Sequence, residues 1–341
     1  MNNVQLSFDD VRIVPRYSTI RSRKDVSTDV SFLDMKLTVP IISSNMDTVT
    51  GVTMAKSMWD NGGVGCLHRF MSIEQNVRDF LSVGPNCIVS VGVGPNEVER
   101  AIALIKVGAN KVCIDVAHGA SDHVVEIYDK VRCMLPFGYI IVGNFATGES
   151  ILDFERHMKS RTKPDAYKIG IGPGSACKTS VQTGCGLPAL ATIIDCQAAG
   201  VTQPLIADGG IRSSGDMAKA LAAGASMVML GGLLAGTDES PGELHRTDFG
   251  YKKRYRGSAS KESYQVQGKE SEWRTFEGDS FEVPATGPLK DVINNLTAGV
   301  RSACSYVGAN NLTELREKAK FVQVTANGVI EADSHGNKGS K

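Results

Sequence analysis

The sequence predicts a single (β/α)8 TIM barrel spanning residues 1–341. Three observations point there. Short apolar runs recur along the chain, and there are eight of them. Amphipathic, helix-length stretches separate them at even spacing. No Gly-x-Gly-x-x-Gly follows the first run, which disfavours a doubly wound dinucleotide-binding sheet.

The runs are VPIISSNM (39–46), GGVGCLH (62–68), CIVSVG (87–92), KVCIDVA (111–117), YIIVGN (139–144), AYKIGIG (166–172), PLIADGG (204–210) and SMVMLGG (226–232). Nearly continuous apolar character suits parallel strands covered on both faces. Among the intervening helices, 96–109 carries Val98, Ile102, Leu104 and Ile105 on one face and ends near Gly108. The stretch 121–134 opens with Ser121 as a predicted N-cap, and 213–225 opens with Ser213 and Ser214. The final helix, 288–308, has Pro288 in its first turn. Between the eighth strand and this helix lies a polar insertion, about 236–286. An insertion there sits on the catalytic face of a barrel, so it is expected to be a mobile flap over substrate. The segment from about 334 to 341 is expected to be disordered.

Composition narrows the function. The chain of 341 residues is 42% hydrophobic, enough for a large core. Lys+Arg and Asp+Glu both number 37, so no global charge favours nucleic acid or an anionic membrane. No apolar run is long enough for a membrane span, and MNNVQLSFDD lacks the features of a signal peptide. The eight cysteines form no Cys-x-x-Cys pair, and their scatter predicts reduced thiols and a cytoplasmic protein.

Chemistry in this fold sits at the C-terminal ends of the strands. There the polar residues and glycines collect: Asn45-Met46-Asp47, His68-Arg69, Asp115 to His118, Asn144, Gly172 to Cys177, Asp208-Gly209-Gly210 and Gly231-Gly232. The segment IGIGPGSACKT (169–179) is the most informative. Its glycines allow close backbone approach, and such a loop can aim N–H groups at an anion or C=O groups at a cation. Cys177 sits at the tip, where a thiolate can act as nucleophile. The other seven cysteines read as structural. Loops after strands seven and eight often bind phosphate, and Asp208 beside them can accept two sugar hydroxyls.

GIGPGSAC, IADGGIRSSGD and VMLGGLLAG closely resemble the family of IMP dehydrogenases and GMP reductases. The likeness runs from LSFDDVRIVP (6–15) to GVRSACSYVGA (299–309). It implies a thioimidate between Cys177 and purine C2. Ser175, Gly209, Gly210, Gly231 and Gly232 would then hold the nucleotide phosphate, and Asp208 the ribose. Further nucleotide contacts are implied for Asn45, Met46, Leu230, Gly257 and Arg274. Asp115, Ala117, His118 and Gly119 would meet the nicotinamide cofactor. Carbonyls of Gly172, Gly174 and Cys177 would bind a monovalent metal ion, K+. A homotetramer is implied as well.

Within the family, dehydrogenases usually carry a tandem CBS insert after the second strand and an Arg-Tyr pair on a long flap. Here the connection after His68-Arg69 is short, leading straight into MSIEQNV (71–77), so no CBS domains are expected. SEWRTFEGDSFEVP (271–284), SSNMDTV (43–49) and GNFATGE (143–149) resemble the reductase branch. That branch implies NADPH-dependent deamination of GMP to IMP, with Thr179 and Glu277 moving a proton to the leaving amine. Trp273 either shields the closed site from water or only packs the flap. SVGVGPNEVER, DVAHG and YRGSAS lean toward the dehydrogenases, and Arg69, Lys178 and Ser180 depart from the reductase pattern. The alternatives are a dehydrogenase without CBS domains, turning IMP and NAD into XMP, and a purine nucleotide-binding barrel without turnover.

Overall fold

A computed structural model describes residues 4–248, 250–266 and 275–332. Eight parallel strands close into a barrel: Ile41–Ser43, Val64–Leu67, Cys87–Val91, Lys111–Asp115, Tyr139–Phe145, Ala166–Ile169, Leu205–Asp208 and Met227–Leu230. Each lies within one of the expected apolar runs except the fifth, which extends one residue further to Phe145. Closure comes from pairing of the eighth strand with the first, Val228 opposite Ile41 and Leu230 opposite Ser43.

The barrel interior is a packed core. Ile42, Ile88, Cys113, Ile141, Ile206 and Met229 meet inside it. A hairpin of Val30–Phe32 and Met35–Leu37 adds Phe32, Met35 and Leu37 to the same cluster. It closes the N-terminal mouth, where Lys111 at the start of the fourth strand pairs with Asp34 at 2.9 Å. Burying these three side chains stabilises the fold by several kcal/mol, at ~1.5–3 kcal/mol each. The opposite mouth is left for polar groups.

Helices form the outer ring, and their starts follow ordinary capping chemistry. Ser72 and Ser213 accept hydrogen bonds from the N–H of Gln75 and Asp216. Ser121 occupies the N-cap position of Asp122–Met134, but its hydroxyl makes no capping bond, so that start rests on packing. Pro288 is the N-cap residue of the last ring helix, Leu289–Val307, rather than part of its first turn. Seven cysteines read as structural, yet only Cys66, Cys87, Cys113, Cys196 and Cys304 are buried; Cys133 and Cys185 are exposed.

The described residues of the polar insertion are folded. Leu244–Thr247, Gly250–Arg256 and Ser280–Pro284 form an antiparallel sheet, with a helix at Lys261–Val266. The middle strand alternates: Lys253 and Tyr255 are buried while their neighbours are half-buried. Four cationic side chains in GYKKRYR hide this period-two pattern from a composition-based reading. Trp273 and Arg274 lie outside the described residues, as does the tail from about 334. Before that tail, Phe321–Gln323 pairs antiparallel with Val11–Ile13, joining the two ends of the chain.

Candidate active site

The strand ends and the flap sheet enclose a cavity of about 850 Å³ at the C-terminal mouth of the barrel. Cys177 lies on its wall, half-buried, at the tip of the loop after the sixth strand. A tight turn sets the cysteine, with Cys177 N–H donating to the Gly174 carbonyl at 2.9 Å. The thiol donates to Thr179 Oγ1 at 3.2 Å, and that hydroxyl donates to Glu277 Oε2 at 2.8 Å. Thr179 starts a one-turn helix, Thr179–Thr183, whereas Glu277 belongs to the insertion, 98 residues away along the chain. Backbone hydrogen bonds hold the two segments together. Lys178 N–H donates to Glu277 O at 2.6 Å, and Asp279 N–H donates to Ala176 O at 2.9 Å. Outside, Lys178 Nζ pairs with Asp279 at 2.9 Å.

Glycines let the neighbouring loops close on this tip. Gly209 has φ 88°, and a Cβ there would stand 2.9 Å from the Gly174 N. A Cβ on Gly231 would stand 2.8 Å from the Tyr255 hydroxyl. Both positions exclude side chains because backbone or buried ring atoms fill the space. Gly231 and Gly232 consequently stand beside Tyr255, with Ser175 Oγ next to Gly232, and Gly210 lines the same cavity. Burial pushes the Tyr255 phenol up to about 12, so it stays neutral near pH 7.

The floor is charged. Lys168, on the sixth strand, is buried between Asp115 at 2.7 Å and Asp208 at 2.6 Å. Asn45 donates to Asp115 Oδ2 at 2.8 Å, and Asn144 donates to Asp208 Oδ2 at 2.9 Å. Burial alone would push the Asp115 carboxyl up. The Lys168 charge and hydrogen bond, the Arg69 charge and the Asn45 bond outweigh it and hold that carboxyl below its ordinary range. Burial disfavours the Lys168 ammonium, but Asp115 and Asp208 outweigh that and raise its pKa.

Most residues singled out in the sequence meet here. Cys177, Thr179 and Glu277 form one chain of contacts. Asn45, Met46, Asp208, Leu230 and Gly257 line the same cavity, as do Gly172, Gly174, Asp115 and Ala117. His118 and Gly119 do not line it: His118 is exposed, and Gly119 is buried with its N–H donating to Asn144 O at 2.7 Å. Sequence reading did not single out Lys168 or Tyr255. A lysine within an apolar strand run was the available signal, since buried lysines require partners. Arg69 also lines the cavity, its guanidinium 5.0 Å from the Phe70 ring centroid and its Nε buried without a hydrogen-bond partner. Among the described residues, no group of three or more His, Cys, Asp or Glu could hold a metal ion.

The family described as IMP dehydrogenase / GMP reductase domain matches residues 5–335. The chain belongs to this family. Among its relatives, GMP reductase 2 of Bos taurus is 38% identical over 338 residues, covering 95% of each chain. GMP reductase of Shigella boydii is 36% identical over 337 residues, covering 94% of this chain and 95% of that protein. A crystal structure of Trypanosoma brucei GMP reductase, a cysteine-to-alanine variant in complex with guanosine 5′-monophosphate, superposes with a TM-score of 0.88. That match is 26% identical and covers 98% of both chains. The family barrel thus extends over nearly the whole chain, and the Cys177 loop lies at its C-terminal mouth.

Proposed function

We propose that the chain is a GMP reductase, converting GMP and NADPH, with one proton, to IMP, NADP+ and ammonia. The observation that carries this reading is the Cys177–Thr179–Glu277 line of contacts at 3.2 and 2.8 Å, closed by the insertion. The Cys177 thiolate would add to purine C2, forming a C–S bond. Glu277 would pass a proton through Thr179 to the 2-amino group. The C2–N bond would then break and release ammonia, leaving a thioimidate on Cys177. A positioned proton donor is worth roughly 10²–10⁴-fold in such a step. When bound, NADPH supplies a hydride to C2, after which the C–S bond breaks and the Cys177 thiolate is restored. Ser175 and the glycines 209, 210, 231 and 232 would hold the phosphate, while the flap would exclude water, which would otherwise yield XMP.

The lobe between Asp115 and Arg69 fits the cofactor, because the buried, unpartnered Arg69 Nε and the ionised Asp115 suit a polar ligand. The Gly172, Gly174 and Cys177 carbonyls would hold K+. These are neutral oxygen donors on a loop where Gly172, at φ 97°, leaves no room for a side chain against Ser180. A homotetramer is the expected assembly. Eight free cysteines suit a reducing compartment, so a cytoplasmic location is proposed.

Two incubations test the reading, one with GMP and NADPH, the other with IMP and NAD. Loss of NADPH absorbance with GMP supports it. XMP formation from IMP would instead establish a dehydrogenase without CBS domains. Nucleotide binding without turnover in either tube would establish a non-catalytic barrel.

A further inference from the structure

The barrel floor joins two halves of the cavity through one side chain. Lys168 is only 3% exposed, and its Nζ bridges Asp115 Oδ1 and Asp208 Oδ2. The two carboxylates come from different strands, the fourth and the seventh. Each has one amide partner, Asn45 for Asp115 and Asn144 for Asp208. The bonds are not symmetric. Both Asp115 oxygens are engaged, whereas Lys168 and Asn144 both bond Asp208 Oδ2 and leave Oδ1 for a ligand. Asp208 stands beside the glycines of the phosphate side; Asp115 faces Arg69 and the opposite lobe.

Two carboxylates around a buried centre repel unless a cation separates them. A lysine anchored by both distributes its hydrogen bonds between them. Drawing density from one carboxylate toward a ligand strengthens the hold of the ammonium on the other. The other groups facing Lys168 are the Cys113 and Cys66 thiols below it, and Arg69 acts on it through Asp115.

We propose that Lys168 is a positioning residue that couples the nucleotide-sugar subsite at Asp208 to the dinucleotide subsite at Asp115. This rests on the GMP reductase reading. Lys168 itself performs no chemical step. It fixes the direction of both carboxylates, so a change at one subsite is felt at the other. Coupling between ligand sites of this kind is typically 5–150-fold in affinity.

The experiment measures GMP binding by calorimetry without cofactor, together with steady-state kinetics, in wild type, Asp115→Asn, Lys168→Met, the double variant and Lys168→Arg. The Asp115→Asn change lies outside the proposed sugar subsite and keeps an oxygen to accept the Asn45 amide, yet it is expected to weaken GMP binding about fivefold or more. Lys168→Met is expected to raise KM for GMP and for NADPH about tenfold each. It should also move the low-pH limb of kcat/KM for NADPH upward by about one pH unit. Lys168→Arg, which keeps the charge, is expected to keep that limb near its wild-type position. In the double variant, the two effects on GMP binding are expected not to add. Unchanged GMP binding in Asp115→Asn, or strict additivity in the double variant, overturns the coupling. If Lys168→Met does not fold, the Asp115→Asn binding measurement decides alone. A wild-type protein that does not consume GMP with NADPH overturns the functional reading instead, a separate result.

Discussion

Thr179 is the link whose removal is most diagnostic. Its Oγ1 receives the Cys177 thiol at 3.2 Å and donates to Glu277 Oε2 at 2.8 Å. Replacing it with valine keeps the branched shape of a buried side chain, 8% exposed, and deletes both contacts. If the hydroxyl relays the proton to the departing amine, the loss is that of general acid catalysis, about 10²–10⁴-fold in kcat. At about 1.36 kcal/mol per decade this is roughly 2.7–5.4 kcal/mol of barrier. The folded state forfeits one hydrogen bond to a carboxylate, roughly 1.5–3 kcal/mol, so the protein is expected to stay folded. GMP affinity is expected to stay within about threefold, because no phosphate or sugar contact changes. The assay is NADPH consumption at saturating GMP, beside calorimetric GMP binding and a urea unfolding curve. A Thr179→Val enzyme that keeps kcat within about threefold of wild type refutes the relay.

Other perturbations follow from the same geometry. Cys177→Ala is expected to abolish NADPH consumption while GMP binding, measured by calorimetry, stays within about threefold. The Asp115 carboxyl titrates below its ordinary value, so its contribution to stability is present above about pH 3.9 and fades as pH falls through its folded pKa. Urea midpoints between pH 6 and pH 3 are accordingly expected to fall less in Asp115→Asn than in wild type. Lys253 is buried at the flap root and donates to the carbonyls of Thr237 and Ser240 at 2.8 and 2.6 Å. Lys253→Met is expected to cost about 1–3 kcal/mol in urea unfolding and to lower turnover, because Glu277 lies just before a strand, Ser280–Pro284, of the sheet it anchors.

The barrel was readable because parallel strands covered on both faces leave a strong apolar signature, and all eight runs formed paired strands. The Cys177 loop was readable because glycine, proline and cysteine rarely crowd together without a backbone reason. Other features were hidden for physical causes. The N-terminal hairpin that plugs the barrel is only three residues per strand, too short for a period to register. The flap sheet takes its inward positions partly from Lys253, which an apolar pattern cannot flag. The bidentate contact of Arg256 with Asp47, Nη2 to Oδ2 at 2.6 Å, joins residues 209 apart in sequence, and nothing local announces it. His118 reads as a strand-end polar group like its neighbours, but the chain turns it outward just beyond Asp115.

The bridge between Cys177 and Gly278 has a consequence for safety as well as rate. In the proposed reaction, Glu277 would reach the sulfur on the same stretch of backbone that borders the chamber. If that stretch lifted to admit or release a purine, it would withdraw the proposed proton source in the same movement. A thiol open to bulk water would then be left unassisted until the stretch returned. Protection against hydrolysis would in that case reside in the connectivity of the chain.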